Sequence, residues 1–196
     1  MGLLSQLRAL NKKGTDARIL VLGLDNAGKT TILKALSQEE ITQIMPTQGF
    51  NIKSLQHENF KLTVWDIGGQ RAIRAYWSNY FTNTDGLIYV VDSSDEERLA
   101  ESKDELLQLL NHELLVNVPL LIYCNKQDIA TALDADEIEE NLDLTKIEDR
   151  IWTIASCSAL TGEGLSEGVS WMIKQMDEKN KSKSAAGASA AAAAEK

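Results

Sequence analysis

Cysteine and histidine are scarce, acidic residues outnumber basic ones, and no apolar run approaches the ~20 residues that a membrane-spanning helix needs. Each shortage removes a class of protein. The two cysteines, Cys124 and Cys157, lie in or beside apolar strand-like runs. They are expected as reduced, buried thiols and not as a disulfide framework. The two histidines, His57 and His112, stand in polar surroundings with no cysteine nearby, which offers no metal site. The formal net charge of −9 argues against a general affinity for nucleic acid. Any phosphate ligand must then be held by a local arrangement. The N-terminus lacks the apolar core and small-residue cleavage site of a secretory signal, so the chain is expected in the cytosol. Its 196 residues suffice for one domain with a sizeable core.

Strand-like and helix-like segments alternate along the chain. Residues 18–24 read as a buried strand and 28–37 as a helix. Residues 50–56 and 61–66 are short alternating strands joined by a polar turn at His57–Asn59, the spacing of a hairpin. The continuous apolar runs 86–92 and 119–125 are expected as central parallel strands covered on both faces. Between them Leu99, Leu106, Leu110 and Leu114 recur at helical spacing. Residues 151–156 make a last strand, and Leu165, Val169, Met172 and Met176 mark one face of a closing helix. This alternation predicts an α/β fold with ligands at the carboxyl ends of the strands. Residues 3–10 place Leu3, Leu4, Leu7 and Leu10 on one side of a short amphipathic helix, with Arg8, Lys12 and Lys13 nearby. Residues 178–196 are rich in Lys, Ser and then Ala without apolar periodicity, so a disordered or frayed tail is expected there.

Gly23-Leu24-Asp25-Asn26-Ala27-Gly28-Lys29-Thr30 fits the pattern G-x-x-x-x-G-K-[ST], directly after a strand and opening a helix. The glycines let backbone N–H groups curl round phosphates, and the helix N-terminus adds partial positive charge. Lys29 is placed to reach the β- and γ-phosphates, and the Thr30 hydroxyl to coordinate Mg²⁺. Ordinary residue frequencies produce such a match in a chain this long about once in a hundred, and the strand–loop–helix context lowers that further.

The base is chosen elsewhere. Asn125-Lys126-Gln127-Asp128 follows the 119–125 strand and therefore lies on the ligand face. A carboxylate at Asp128 accepts two hydrogen bonds, matching the N1–H and 2-amino group of guanine. Adenine would leave it desolvated and unpaired, and sites built this way discriminate by ~10⁴-fold or more. Asn125 can bridge the base and the phosphate loop, and the Lys126 stem can lie along the purine face. Ser158-Ala159-Leu160, after the last strand, is placed for a backbone N–H to meet guanine O6.

Asp66-Ile67-Gly68-Gly69-Gln70 ends the third strand. Asp66 can hold a metal through water, the Gly69 N–H can touch the γ-phosphate, and Gln70 can orient an attacking water. Thr47, after Pro46 in a segment without periodicity, is expected as a second Mg²⁺ ligand of the triphosphate state. Thr47 and Gly69 would be ordered by the γ-phosphate and released on its loss. Gln70 and Lys29 are thus the expected catalytic groups.

The segments GLDNAGKT, PTQGFNIKS, WDIGGQR and NKQD, with an N-terminal helix and no C-terminal prenylation box, resemble the Arf-like small GTPases over residues 1–177. The resemblance implies a Ras-like P-loop GTPase fold, a six-stranded mostly parallel sheet with helices on both faces. Residues 1–17 would be the N-terminal helix and linker, and 18–177 the GTPase domain. It places Gly23 to Thr30 and Thr31 on phosphates and Mg²⁺, Thr47 in a first switch, Asp66 to Gln70 in a second, and Asn125 to Asp128 on GTP or GDP. It further implies an exchange factor, an arginine-supplying activating protein, and carrier-type effectors for lipidated cargo bound for cilia. The cilium, the Golgi and microtubules are the places it suggests. Phe50, Trp65 and Tyr80 either form an exposed triad read by effectors or simply pack beside the sheet.

Departures carry expectations of their own. Gln6 stands where a myristoylation signal wants Ser or Thr, and Ser5 falls one short, so Gly2 is expected unmodified and residues 2–10 to meet membranes weakly at most. Ala75 stands where relatives carry proline. Asp25 brings negative charge beside the γ-phosphate, and no arginine finger is identifiable in cis, so slow intrinsic hydrolysis is expected. A P-loop ATPase or kinase fails on Asp128. A module that holds nucleotide without cycling, and a coat-recruiting Arf proper, are the remaining alternatives.

Overall fold

The structure is a computed structural model that describes residues 15–41, 44–57, 60–148 and 150–194. The amphipathic helix expected over 3–10, Gly2 included, lies outside these residues, as does the end of the hairpin turn at 58–59.

Six strands form one sheet in the order β2-β3-β1-β4-β5-β6. They are β1 (Thr15–Leu22), β2 (Phe50–His57), β3 (Phe60–Ile67), β4 (Gly86–Asp92), β5 (Leu120–Asn125) and β6 (Trp152–Ser156). β2 is antiparallel to β3, as its hairpin spacing requires; the other pairs are parallel. Helices α1 (Lys29–Leu36), α2 (Arg71–Arg74), α3 (Leu99–Leu110), α4 (Ala135–Asn141) and α5 (Leu165–Ala194) supply the connections and the layers.

The central strands β4 and β5 are buried at every position and apolar up to their terminal Asp92 and Asn125, because both faces of the sheet are covered there. On β1, Ile19 and Val21 point to the side where Ile32, Leu33, Met172 and Met176 of α1 and α5 pack. Leu20 and Leu22 point to the opposite side, against Trp77, Leu106, Leu109 and Ile138. Cys124 and Cys157 are buried and free, and burial pushes both thiols up, Cys124 to about 12.

The periodic residues of α3 end earlier than their spacing predicts. Leu114 falls in a separate 3₁₀ turn, Glu113–Leu115, and is 47% exposed. Helix α4, which no apolar stripe announces, begins at a capping box: Asp134 accepts the Glu137 N–H at 2.9 Å, and Glu137 accepts the Asp134 N–H at 2.9 Å. Such a cap contributes about 1 kcal/mol, enough to start a helix whose buried residue is Ile138. α5 continues to Ala194, in place of the disordered tail expected from residue 178. Its Lys- and Ala-rich composition has high intrinsic helix propensity, which extends the helix beyond Met176, the last of its buried face.

The order of strands reverses beside β1, whose neighbours are β3 on one side and β4 on the other. A crevice opens at the carboxyl ends of such strands, and the loops after β1, β3, β5 and β6 converge on it.

Candidate functional site

A cavity of about 500 Å³ occupies that crevice, lined by residues of the loop 25–30, by Thr47, Gly69–Gln70, residues of the segment 125–128 and Ala159–Leu160, among others. The segments singled out from sequence are therefore brought together, although they are spread over more than 130 residues.

The loop after β1 is held against the end of β4. Gly23 has φ +140°, and a Cβ there would lie 2.2 Å from the Val90 carbonyl oxygen, so only glycine permits the approach. Asn26 is also left-handed, at φ 64°. Lys29, 6% exposed, curls back to donate to the Gly23 and Leu24 carbonyls at 3.0 and 2.8 Å. Burial lowers its pKa to about 8, while Asp66 and Asp25 favour the charged form. Thr31 lines the same cavity.

Thr30 is the first hub. Its hydroxyl donates to Asp66 Oδ2 at 2.6 Å and lies 2.8 Å from the Thr47 hydroxyl. Asn51 Nδ2 reaches the same carboxylate oxygen at 3.4 Å. Asp66 is fully buried; desolvation raises its pKa against the hydrogen bond from Thr30 and the charge of Lys29. Its other oxygen, Oδ1, is buried without a hydrogen-bond partner. Two hydroxyls side by side, backed by a desolvated carboxylate, are a hard oxygen donor set of the kind that suits Mg²⁺.

The segment after β3, residues 68–70, is pressed onto the loop after β1. A Cβ on Gly69 would lie 2.4 Å from Asp25 N, Gly23 O and Leu24 C. The Gly68 N–H donates to Gly49 O at 2.9 Å, and Trp77 Nε1 to Gly68 O at 2.9 Å. Gln70 lines the cavity, and its Oε1 is buried without a hydrogen-bond partner. Ala75 has φ −56°, within the range a proline ring would impose, so the proline-to-alanine departure leaves the backbone path intact.

Asp25 does not stand alone. Arg74 Nη2 and Arg98 Nη1 each lie 3.4 Å from its Oδ1. Arg74, buried, also donates to Gly69 O at 2.6 Å, Glu101 at 2.9 Å and Glu105 at 3.0 Å. Arg98 is also paired with Asp95 at 2.7 Å. Both guanidiniums are thus committed to carboxylates and tie residues 68–74 and α3 to the loop after β1. No local pattern announces them; they are 49 and 73 residues from Asp25.

At the far end, Asn125 joins two loops. Its amide nitrogen donates to Ala27 O at 2.8 Å, and its oxygen accepts the Ala159 N–H at 2.9 Å. The Ala159 N–H, one of those in the Ser158–Leu160 segment, is bound to Asn125. Ser158 donates to Asp128 Oδ1 at 2.6 Å, which orients the carboxylate. Leu160 is 65% exposed at the cavity rim.

Phe50, Trp65 and Tyr80 cluster on the outer side of β2 and β3. Phe50 and Trp65 stack at 5.4 Å between centroids, and Tyr80 is 5.5 and 6.0 Å from them. Phe50 is 46% exposed and adjoins Ile52, 45% exposed. The rings pack on each other and leave apolar surface in solvent. Among the described residues no helix is long and apolar enough to cross a membrane.

Known proteins resemble this chain in sequence and fold. The profile of the ADP-ribosylation factor family matches residues 3–176. The chain is 64% identical over 176 residues to ADP-ribosylation factor-like protein 3 of Chlamydomonas reinhardtii, covering 90% of this chain and 99% of that one. It is 55% identical over 182 residues to the protein of the same name from Pongo abelii, covering 92% and 100%. A solved structure, the Arl6 BBS3 small GTPase of Trypanosoma brucei with bound nucleotide analogue GppNp, superposes with TM-score 0.78 at 36% identity, covering 84% of this chain and 99% of that one. With the family profile spanning nearly the whole of the fold and the strand-end crevice, the chain belongs to the ADP-ribosylation factor family of small GTPases and is a GTP hydrolase.

Proposed function

We propose that the chain is a two-state switch in which the γ-phosphate of GTP holds Thr47 and Gly69 against the phosphate loop. The observation that carries this is the closure of both switch segments on one cradle: Thr47 on Thr30, and Gly69 on Gly23 to Asp25. Lys29 and the loop N–H groups bind the phosphates, and Asn125, Lys126 and Asp128 bind guanine, with Ser158 to Leu160 closing over it. Mg²⁺ fits the Thr30 and Thr47 hydroxyls, with the unpartnered oxygen of Asp66 behind them, and supplies charge neutralisation on the phosphate oxygens.

Gln70 positions the attacking water, its side-chain oxygen being buried beside the cavity and otherwise unpartnered. Arg74 and Arg98 are bound to acidic residues, so the stabilising arginine comes from a partner protein. Intrinsic turnover is accordingly expected at or below ~10⁻⁴ s⁻¹. Gln70→Leu is expected to slow single-turnover hydrolysis by about a hundredfold while leaving GTP affinity unchanged; an unaltered rate would remove Gln70 from the mechanism.

Loss of the γ-phosphate releases Thr47 and Gly69, and through β2 and β3 changes the surface around Phe50, Trp65 and Tyr80. That surface is where effectors read the state. Carriers of lipidated cargo bound for cilia are the proposed class, supported by the exposed apolar character of the patch and by the resemblance of the sequence. An exchange factor would reload the switch.

Competition of GDP, GTP and ATP against a fluorescent GDP analogue, with and without Mg²⁺, tests the site. Tight displacement by GTP and GDP but not ATP is expected, and equal displacement by ATP would overturn the base assignment. Pull-down of carriers by the GTP form alone would support cycling. Equal capture by both forms would favour a static nucleotide-holding module.

A further inference from the structure

Lys126 is held at both ends. Its backbone is left-handed at φ 71°, a conformation that costs a non-glycine residue of order 1 kcal/mol and sends the side chain away from the ordinary course of a strand end. Its ammonium pairs with Asp92 Oδ2 at 2.6 Å. Asp92 terminates β4 and is register partner to Asn125 on β5. Its side chain is 7% exposed. Its second oxygen accepts the Ser94 N–H at 3.1 Å and the Ser94 hydroxyl at 2.7 Å. A buried carboxylate with three donors around it is rigid, so the Lys126 ammonium has a fixed anchor.

A four-carbon stem pinned at backbone and tip runs along one line instead of sampling many rotamers, a freedom worth up to ~2 kcal/mol in a lysine. We propose that Asp92 is a positioning residue for nucleotide binding: it fixes the Lys126 stem as a ready-made apolar surface for the purine ring. This rests on the reading of Asn125–Asp128 as the base pocket. Contact with a ring face is indifferent to the 2-substituent, whereas Asp128 reads that substituent. The two residues therefore carry separable signatures.

Release of fluorescent GDP and IDP (guanine without its 2-amino group) from the full chain distinguishes them. Asp92→Asn should accelerate release of both by the same factor, about ten- to hundredfold, the size of one lost charge-assisted bond. Lys126→Met keeps the stem but removes its anchor, and should accelerate release to the same extent. The double variant should release no faster than the faster single one, because both remove one ion pair. Wild-type release rates in Lys126→Met, or fully multiplicative effects in the double variant, would overturn the proposal even if Asp92→Asn alone folds poorly. Asp128→Asn, run alongside, should abolish the preference for GDP over IDP; an unchanged preference would instead overturn the base-pocket reading itself.

Discussion

Replacing Asp128 by asparagine is expected to weaken GDP binding by about a thousandfold or more, the scale at which hydrogen-bonding sites reject a mismatched partner. Asp128 is set to accept: Ser158 donates to Oδ1 at 2.6 Å, and Asp128 lines the cavity with Lys126 and Leu160. An asparagine amide there would oppose its own N–H groups to the N–H donors of guanine. A base with a carbonyl in place of the 2-amino group would meet that amide favourably, so xanthosine diphosphate should gain as GDP loses. The surrounding frame does not depend on Asp128, because Asn125 is fixed by Ala27 and Ala159. Equal loss of both ligands in equilibrium binding would mean that the loop had collapsed. Unchanged GDP affinity would mean that the base binds elsewhere.

Gly69→Ala is expected to abolish the closed state while sparing GDP. The added methyl carbon would lie 2.4 Å from three backbone atoms of Gly23, Leu24 and Asp25, and backbone of a phosphate loop cannot yield as a flexible side chain does. The second switch must then withdraw, losing the bond from Arg74 Nε to Gly69 O and displacing Gln70. A misplacement of ~1 Å already costs about a hundredfold in rate, so single-turnover hydrolysis should fall by at least that factor. Hydrogen exchange over residues 66–77 is expected to be slow in the GTP form of the parent chain, and in the GTP-loaded variant it should match the GDP form of the parent. Retained protection in the GTP-loaded variant would show that Gly69 does not close on the loop.

Much of this was legible in the sequence because it is locally encoded. Gly23 and Lys29 are read from a turn and a helix start only six residues apart. The runs 86–91 and 119–124 are apolar throughout because strands buried on both faces leave no polar side. The hairpin of β2 and β3 follows from period-two alternation around a short polar turn. Where such signals weaken, boundaries moved: β1 begins at Thr15 and not at 18, since polar residues at a strand end are compatible with loop or ladder alike. α4 had no stripe, and its only announcement was Asp134 and Glu137, three residues apart.

The sequence by itself determined the parallel sheet, the phosphate loop and the choice of guanine, each of which depends on residues within one turn or one strand. Only the tertiary structure decided how the loops answer one another: Arg74 and Arg98 on Asp25, Asp92 on Lys126, and the stacking of Phe50, Trp65 and Tyr80. These pairs join segments 15 to 73 residues apart. Their partners are chosen by the strand order that brings loop ends to one crevice, and a charge or a ring carries no local mark of which distant group the fold will set against it.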